Sequence, residues 1–231
     1  MLAQKLGLNL SSLKTALWTP RDESSLVAWW RHATDVADDG SPNYKVSQWK
    51  DQSGNNNHFI QGTLSERPVN GTGATSGVIT FDPSNTENLE TTSQISLTDD
   101  FTIGIKLNLA NAGCVLMADN TANGEFIRFF STSVIRIKID NATAVDISKD
   151  EGTWPGDAYM VLTRSSGTIT LYWNGTAQAD TEDLTGTADI DNLGVRKTDL
   201  NPYDGTISEV MIFSSSSAAL TAEANARLST I

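Results

Sequence analysis

The sequence has a single cysteine, Cys114, and two histidines, His32 and His58, in 231 residues. One cysteine excludes an intrachain disulfide, and two histidines are too few for a histidine-dominated metal site. Cys114 sits in the apolar run of residues 113–117, which predicts a buried, inert thiol. Basic side chains are scarce as well, 16 against 28 acidic ones, for a formal net charge of −12. A field of that sign repels phosphate backbones and anionic lipid, and nucleic acid is excluded as a partner unless folding gathers a basic patch that the linear sequence does not show. No run reaches the roughly 18 apolar residues of a membrane span, so membrane insertion is not expected. The opening residues lack the continuous apolar core of a signal peptide, which points to synthesis in a cytoplasm. With only His32 and His58 available as a histidine base, and no glycine-rich segment opening a helix, neither a nucleophilic triad nor a phosphate loop is expected.

What the sequence has in quantity is β alternation. Phe101, Ile103, Ile105, Leu107 and Leu109 alternate with Thr102, Gly104, Lys106 and Asn108, the pattern of a strand with one wet face. The same period returns in Ile135, Ile137 and Ile139, and in Ile169, Leu171 and Trp173. Further strands are predicted over residues 26–30, 44–50, 76–82, 113–118, 124–130, 158–164 and 205–213. Between them stand Asp39-Gly40, Asn70-Gly71, Asn123-Gly124, Asn174-Gly175 and Asp204-Gly205, pairs that tolerate the positive φ of tight turns. The helical crossovers of about a dozen residues that a parallel sheet needs are absent. These features predict an all-β fold, a two-sheet antiparallel jelly-roll sandwich over residues 19–231. One short closing helix is predicted, with Thr221 placed to cap it and Ala224, Leu228 and Ile231 on its packed face. Residues 1–18 read as an N-terminal leader or docking arm. Leu6, Leu10, Leu13 and Leu17 recur at helical spacing, and Leu6, Leu8 and Leu10 would suit a short strand equally. Such a stripe docks either on its own sandwich or on a neighbouring subunit, and both stay open.

Several local signatures follow one another in order. Trp18-Thr-Pro20 leads to Leu26-Val-Ala-Trp-Trp30 and to Val46-Ser-Gln-Trp-Lys-Asp-Gln-Ser-Gly-Asn-Asn-Asn57. Arg67-Pro68 and Ile79-Thr-Phe-Asp-Pro-Ser-Asn-Thr-Glu-Asn-Leu89 come next, and Leu171-Tyr-Trp-Asn-Gly175, Gly205-Thr-Ile-Ser-Glu-Val-Met-Ile-Phe213 and Leu220-Thr-Ala-Glu223 close the series. The ordered set resembles the concanavalin A-like, laminin-G-like jelly rolls common in bacteriophage virion proteins and bacterial surface proteins. Two positions depart from that pattern: Asn56 and Pro83 stand where glycine is common. The resemblance implies a structural accessory protein of a phage virion, a capsid decoration or a tail or fibre component. It would be assembled in the host cytoplasm, with other virion proteins and copies of itself as partners. The alternative is a glycan-binding attachment module, with the calcium assistance that some relatives use; a polysaccharide hydrolase is a third reading.

Candidate sites follow from these alternatives. Asp51 and Asn57, in one turn-rich segment, and Glu209, in the last strand, are the candidate ligands for calcium, a hard cation that takes about six to eight oxygens. Their competing duty is to accept backbone N–H bonds in a tight loop or to pair with a basic side chain. Trp30 and Trp154 are the candidate glycan-stacking aromatics, because one of the adjacent Trp29 and Trp30 must face away from the core and Trp154 precedes Pro155 in a loop. In the competing reading they pack internally or beneath the leader or closing helix. No catalytic residue is assigned, so no enzyme is expected: the Glu-x-Asp cluster of sandwich glucanases is missing, and Asp189-Ile-Asp191 reads as a solvated turn.

Overall fold

Strand formation follows the period-two pattern. The computed structural model describes residues 18–71, 77–121, 124–140, 143–150, 152–154, 156–196 and 200–231; the leucine stripe Leu6, Leu10, Leu13 and Leu17 lies outside them. Within these residues run β1 (Leu26–Trp30), β2 (Val36–Asp38), β3 (Val46–Trp49), β4 (Phe59–Ile60), β5 (Val69–Asn70), β6 (Ile79–Phe81), β7 (Leu89–Thr91), β8 (Ser96–Leu97), β9 (Phe101–Leu109) and β10 (Val115–Ala118). They are followed by β11 (Phe126–Phe129), β12 (Val134–Lys138), β13 (Val145–Ser148), β14 (Gly156–Ser165), β15 (Thr168–Trp173), β16 (Thr176–Asp183), β17 (Ala188–Asp189), β18 (Asn192–Leu193), β19 (Gly205–Phe213) and the helix α1 (Ala218–Leu228).

The strands form two antiparallel sheets. One has the order β16-β15-β14-β9-β19-β6-β5, with β1 also on β19; the other runs β13-β12-β11-β10-β18-β7-β4-β3-β2, and β8 pairs with β17 as a small separate ribbon. Alternate side chains from both sheets meet in one core that includes Ile103, Ile105, Ile135, Ile137, Ile169 and Leu171, each at most 1% exposed. The predicted jelly-roll sandwich is therefore the fold, and the burial of these alternating positions drives it.

The expected wet face of β9 is a point of difference. Thr102 and Gly104 are buried together with the apolar residues between them, because α1 lies across β9 and β14 on the outer side of that sheet. Leu220, Ala224 and Leu228 pack there with Trp18, Trp29, Val161, Met211 and Phe213. Gly104 allows this approach: a Cβ at that position would lie 2.9 Å from the Met211 side chain and 3.2 Å from Leu228. The helix begins one turn earlier than the sequence implied. Ser217 is its cap, accepting from Leu220 N at 3.0 Å, while Thr221 Oγ1 donates to Ser217 O. Ile231, expected on the packed face, is 37% exposed beyond the helix end.

Of the predicted turn pairs, Asn70 lies instead in β5 and Gly205 opens β19, whereas Asn174-Gly175 forms the turn its residues suit. Asn174 and Gly175 both have positive φ, 49° and 81°, as a tight β15–β16 hairpin requires. Asn56 takes φ 61°, so asparagine serves where glycine is common. Pro83 opens a short 3-10 turn capped by Asp82, whose carboxylate accepts from Ser84 N.

Candidate functional site

The two aromatic candidates are internal. Trp30 is fully buried and stacks on Phe59 with centroids 3.9 Å apart. Trp154 is 1% exposed and packs edge-on against Trp173 at 4.8 Å. Neither ring presents a face to solvent, so the assignment of Trp30 and Trp154 as glycan platforms is corrected. Of the adjacent pair it is Trp29 that points outward, and α1 covers it.

Asp51, Asn57 and Glu209 have the competing duty. Asp51 accepts from Trp29 N, Ser53 N, Ser53 Oγ and Asn57 N, at 2.6–3.0 Å, while the Asn57 amide donates to Val27 O. Glu209, fully buried, accepts from Trp29 Nε1 at 2.9 Å, from His32 N, and from Arg227 Nε and Nη2. A carboxylate has about four acceptor positions, and here each is filled by a donor. These groups fasten β1, the loop after β3 and α1 onto β19; the calcium assignment at Asp51, Asn57 and Glu209 is corrected on that ground.

A different set of carboxylates converges. Asp119, at the end of β10, Glu125, just before β11, and Asp189, in β17, bring ligand oxygens within 4.8 Å of one another. Asp119 and Glu125 are 2% and 5% exposed. Sheet order makes this cluster: β10 pairs with β11 on one side and with β18 on the other. Burial raises the Glu125 carboxyl above the ordinary range, against the opposing bond from Asp189 N, and the Asp189 and Asp119 charges add to the rise. Asp191 stands beside the cluster, its carboxyl raised to about 6 by burial and by the charges of Asp119, Glu90 and Asp189. Asp189-Ile-Asp191 is thus no solvated turn. All the ligand atoms are hard oxygens, and oxygens at 2.3–2.6 Å from a calcium ion lie at most about 5 Å apart, so the dimensions suit such a cation. No motif spacing announces these residues in the sequence.

A cleft lies where the sheets' outer strands, β13 and β16, approach. Asp150 N donates to Gln178 Oε1, Ala179 N to the Asp150 carboxylate and Ser148 N to Asp180 Oδ2, which ties the two edges together. The cleft has a volume of about 360 Å³ and is lined by Lys149, Asp150, Trp173, Thr176 and Gln178. Lys149 Nζ sits 5.7 Å from the Trp154 ring centre and 6.0 Å from that of Trp173. Lys149 N and Trp154 N donate to Ser133 O and Thr132 O, so the cleft abuts the β11–β12 turn.

Beyond that turn lies the outer face of the larger sheet, where cross-strand register sets Asp146, Arg136 and Arg128 in one row. Phe130, 40% exposed, stands at the end of β11. The Arg136 guanidinium lies 3.6 Å from its ring centre and that of Arg128 5.4 Å away; Arg196 lies 4.7 Å over Phe126. Folding therefore gathers a basic patch that the linear sequence did not show.

No helix among the described residues is long and apolar enough to cross a membrane. No curated protein sequence matches the chain. Solved structures match in fold. Domain 4 of AbnA, a GH43 extracellular arabinanase from Geobacillus stearothermophilus, in complex with arabinotriose, superposes with a TM-score of 0.54 at 13% identity, over 87% of this chain and 98% of that domain. The botulinum neurotoxin serotype G binding domain gives 0.57 at 12% identity, over 79% of this chain and 49% of that one. Trypanosoma rangeli sialidase in complex with the inhibitor DANA gives 0.53 at 10%, over 88% and 32%. The chain spans only 26% of NanB sialidase from Streptococcus pneumoniae, which it matches with a TM-score of 0.43 at 17% identity over 60% of its own length. Residues 82–224 match the family described as the concanavalin A-like lectin/glucanases superfamily. With well over half of its length within that match, and with the sandwich to go with it, the chain belongs to the concanavalin A-like lectin/glucanases superfamily.

Proposed function

We propose that this chain is a carbohydrate-binding module without catalytic activity. The observation that carries the reading is the cleft between β13 and β16. Its volume of about 360 Å³ falls in the range of small-molecule sites, about 300–1,000 Å³. Its lining suits a sugar through polar groups above all: Lys149, Asp150, Thr176 and Gln178 serve as donors and acceptors for hydroxyls, with Trp173, 6% exposed, as the apolar member. The arabinanase domain that shares this fold was solved with a bound arabinotriose, which supports the same class of ligand. A binding role is preferred to hydrolysis because the carboxylates that approach one another, Asp119, Glu125 and Asp189, do not line the cleft. Calcium belongs to the reading only as a structural ion at those three residues. An assembly role in a virion draws no support from the described residues, since Leu6, Leu10, Leu13 and Leu17 lie outside them.

The test is a glycan array with the full chain, followed by calorimetry on any oligosaccharide retained, with wild type and Lys149→Ala. Retention by wild type and an affinity at least about tenfold lower for the variant, the loss of one charge-assisted hydrogen bond, are expected. An array with no glycan above background, or equal affinities, would remove the reading.

A further inference from the structure

The arginines on the outer face of the larger sheet are costly to the fold. Arg128 and Arg136 are directly opposed across β11 and β12, an arrangement of like charges that destabilises a sheet. Arg136 is compensated by Asp146, with two bonds of 2.7 Å in a fork-to-fork pair. Arg128 is not compensated in that way. Its Nη2 donates to Gly113 O at 3.1 Å, whereas its Nε is buried without a hydrogen-bond partner. A buried donor left unmade on a charged group is a standing penalty. Desolvation, and then the charges of Arg196 and Arg136, pull the Arg128 guanidinium below its ordinary pKa. Asn192, 2% exposed, lies on the same face, paired with Ala118, and its Oδ1 is a second buried polar atom without a partner.

Such a local conflict is what a binding site looks like before its ligand arrives. An oxyanion neutralises the opposed like charges, and a planar guanidinium is the donor best suited to holding one. Phe130, 40% exposed beside the two guanidinium groups, adds an apolar surface of the kind a sugar ring packs on. The net charge of −12 does not cancel the attraction, since charges more than about 8 Å away are screened at physiological salt. Arg128 stands three residues from Glu125 along β11, about 10 Å of strand, and so lies beyond that screening length from the acidic cluster, while Arg196 over Phe126 sits nearer to it.

We infer that this face, continuous with the cleft across the β11–β12 turn, binds the anionic group of an acidic saccharide, a carboxylate or a sulfate, through Arg128 with Arg196 and Phe130 beside it. The inference rests on the carbohydrate-binding reading and gives it a ligand class.

The experiment is calorimetry of the full chain at 0.15 M NaCl against three size-matched oligosaccharides: neutral, uronic acid-containing and sulfated. Wild type, Arg128→Ala, Arg128→Lys and Phe130→Ala are compared, each also followed by thermal unfolding. At least one acidic ligand is expected to bind about tenfold or more tighter than the neutral one, with the preference lost in Arg128→Ala and reduced in Arg128→Lys, which keeps the charge without the fork. The unfolding midpoint of Arg128→Ala is expected to be unchanged or raised, which a purely structural arginine would not show. Equal affinity for all three ligands, or an acidic preference that survives Arg128→Ala, overturns the inference and leaves carbohydrate binding standing. Binding to none of the three overturns both.

Discussion

Replacing Glu209 by leucine tests how the sandwich is fastened. Glu209 is fully buried in β19 and holds three residues of two other segments at once: Trp29 Nε1 and His32 N at the end of β1, and the Arg227 guanidinium of α1. Removing one partner of a buried ion pair costs about 3–5 kcal/mol, because the other charge is left uncompensated. The Arg227 side chain is 17% exposed, so only partial rescue by water is available, and the Trp29 N–H loses its acceptor as well. At roughly 2–4 °C per kcal/mol for a chain of this size, the thermal midpoint should fall by about 6–20 °C. The assay is urea and thermal unfolding followed by tryptophan fluorescence, with Glu209→Leu, Arg227→Leu and the double variant. The double variant should recover much of the loss, since no unpaired charge remains, giving a coupling energy above about 1 kcal/mol. A Glu209→Leu loss below about 1 kcal/mol, or strictly additive single losses, would refute the reasoning. The Arg136–Asp146 pair, with side chains 31% and 41% exposed, is the internal contrast: breaking it should cost no more than about 1 kcal/mol.

Other outcomes follow from burial. Trp30→Ala removes a fully buried ring stacked on Phe59 and should cost about 3–5 kcal/mol in urea unfolding; a near-neutral result would contradict the packing. Asp191 carries a folded-state pKa raised from 3.8 to about 6, so the folded chain binds more protons than the unfolded one between those values. Its stabilising contribution is complete below about pH 3.8 and lost as the pH rises through about 6. Asp191→Asn should flatten the fall in stability over that window, as unfolding at a series of pH values will show; an unchanged slope counts against it. Above pH 6 calcium should raise the wild-type midpoint relative to EDTA and not that of Asp119→Asn, which differential scanning calorimetry can check. Cys114 is 4% exposed, with its thiol pushed up to about 11 mainly by burial. It should resist Ellman's reagent at pH 8 in the native chain and react on unfolding; rapid native reaction would place it at the surface.

What the sequence determined by itself is whatever depends on neighbours along the chain. Ile103, Ile105, Ile169 and Leu171 alternate because successive strand side chains point to opposite faces, and they are buried together as the period requires. Asn56 and Asn174-Gly175 turn where short polar residues and glycine accept positive φ. Tertiary structure decided which of two adjacent tryptophans faces the core, because β1 takes its register from β19 and α1 then covers the side that Trp29 presents. It also decided that Asp51 and Glu209 would be fasteners, while Asp119, Glu125 and Asp189 would meet, and that scattered arginines would form a patch on an acidic chain. The reason is that a sheet juxtaposes residues through the order and register of strands distant in sequence. Alternation along a single strand specifies which face a side chain takes, and the partner strand alone specifies what it meets there.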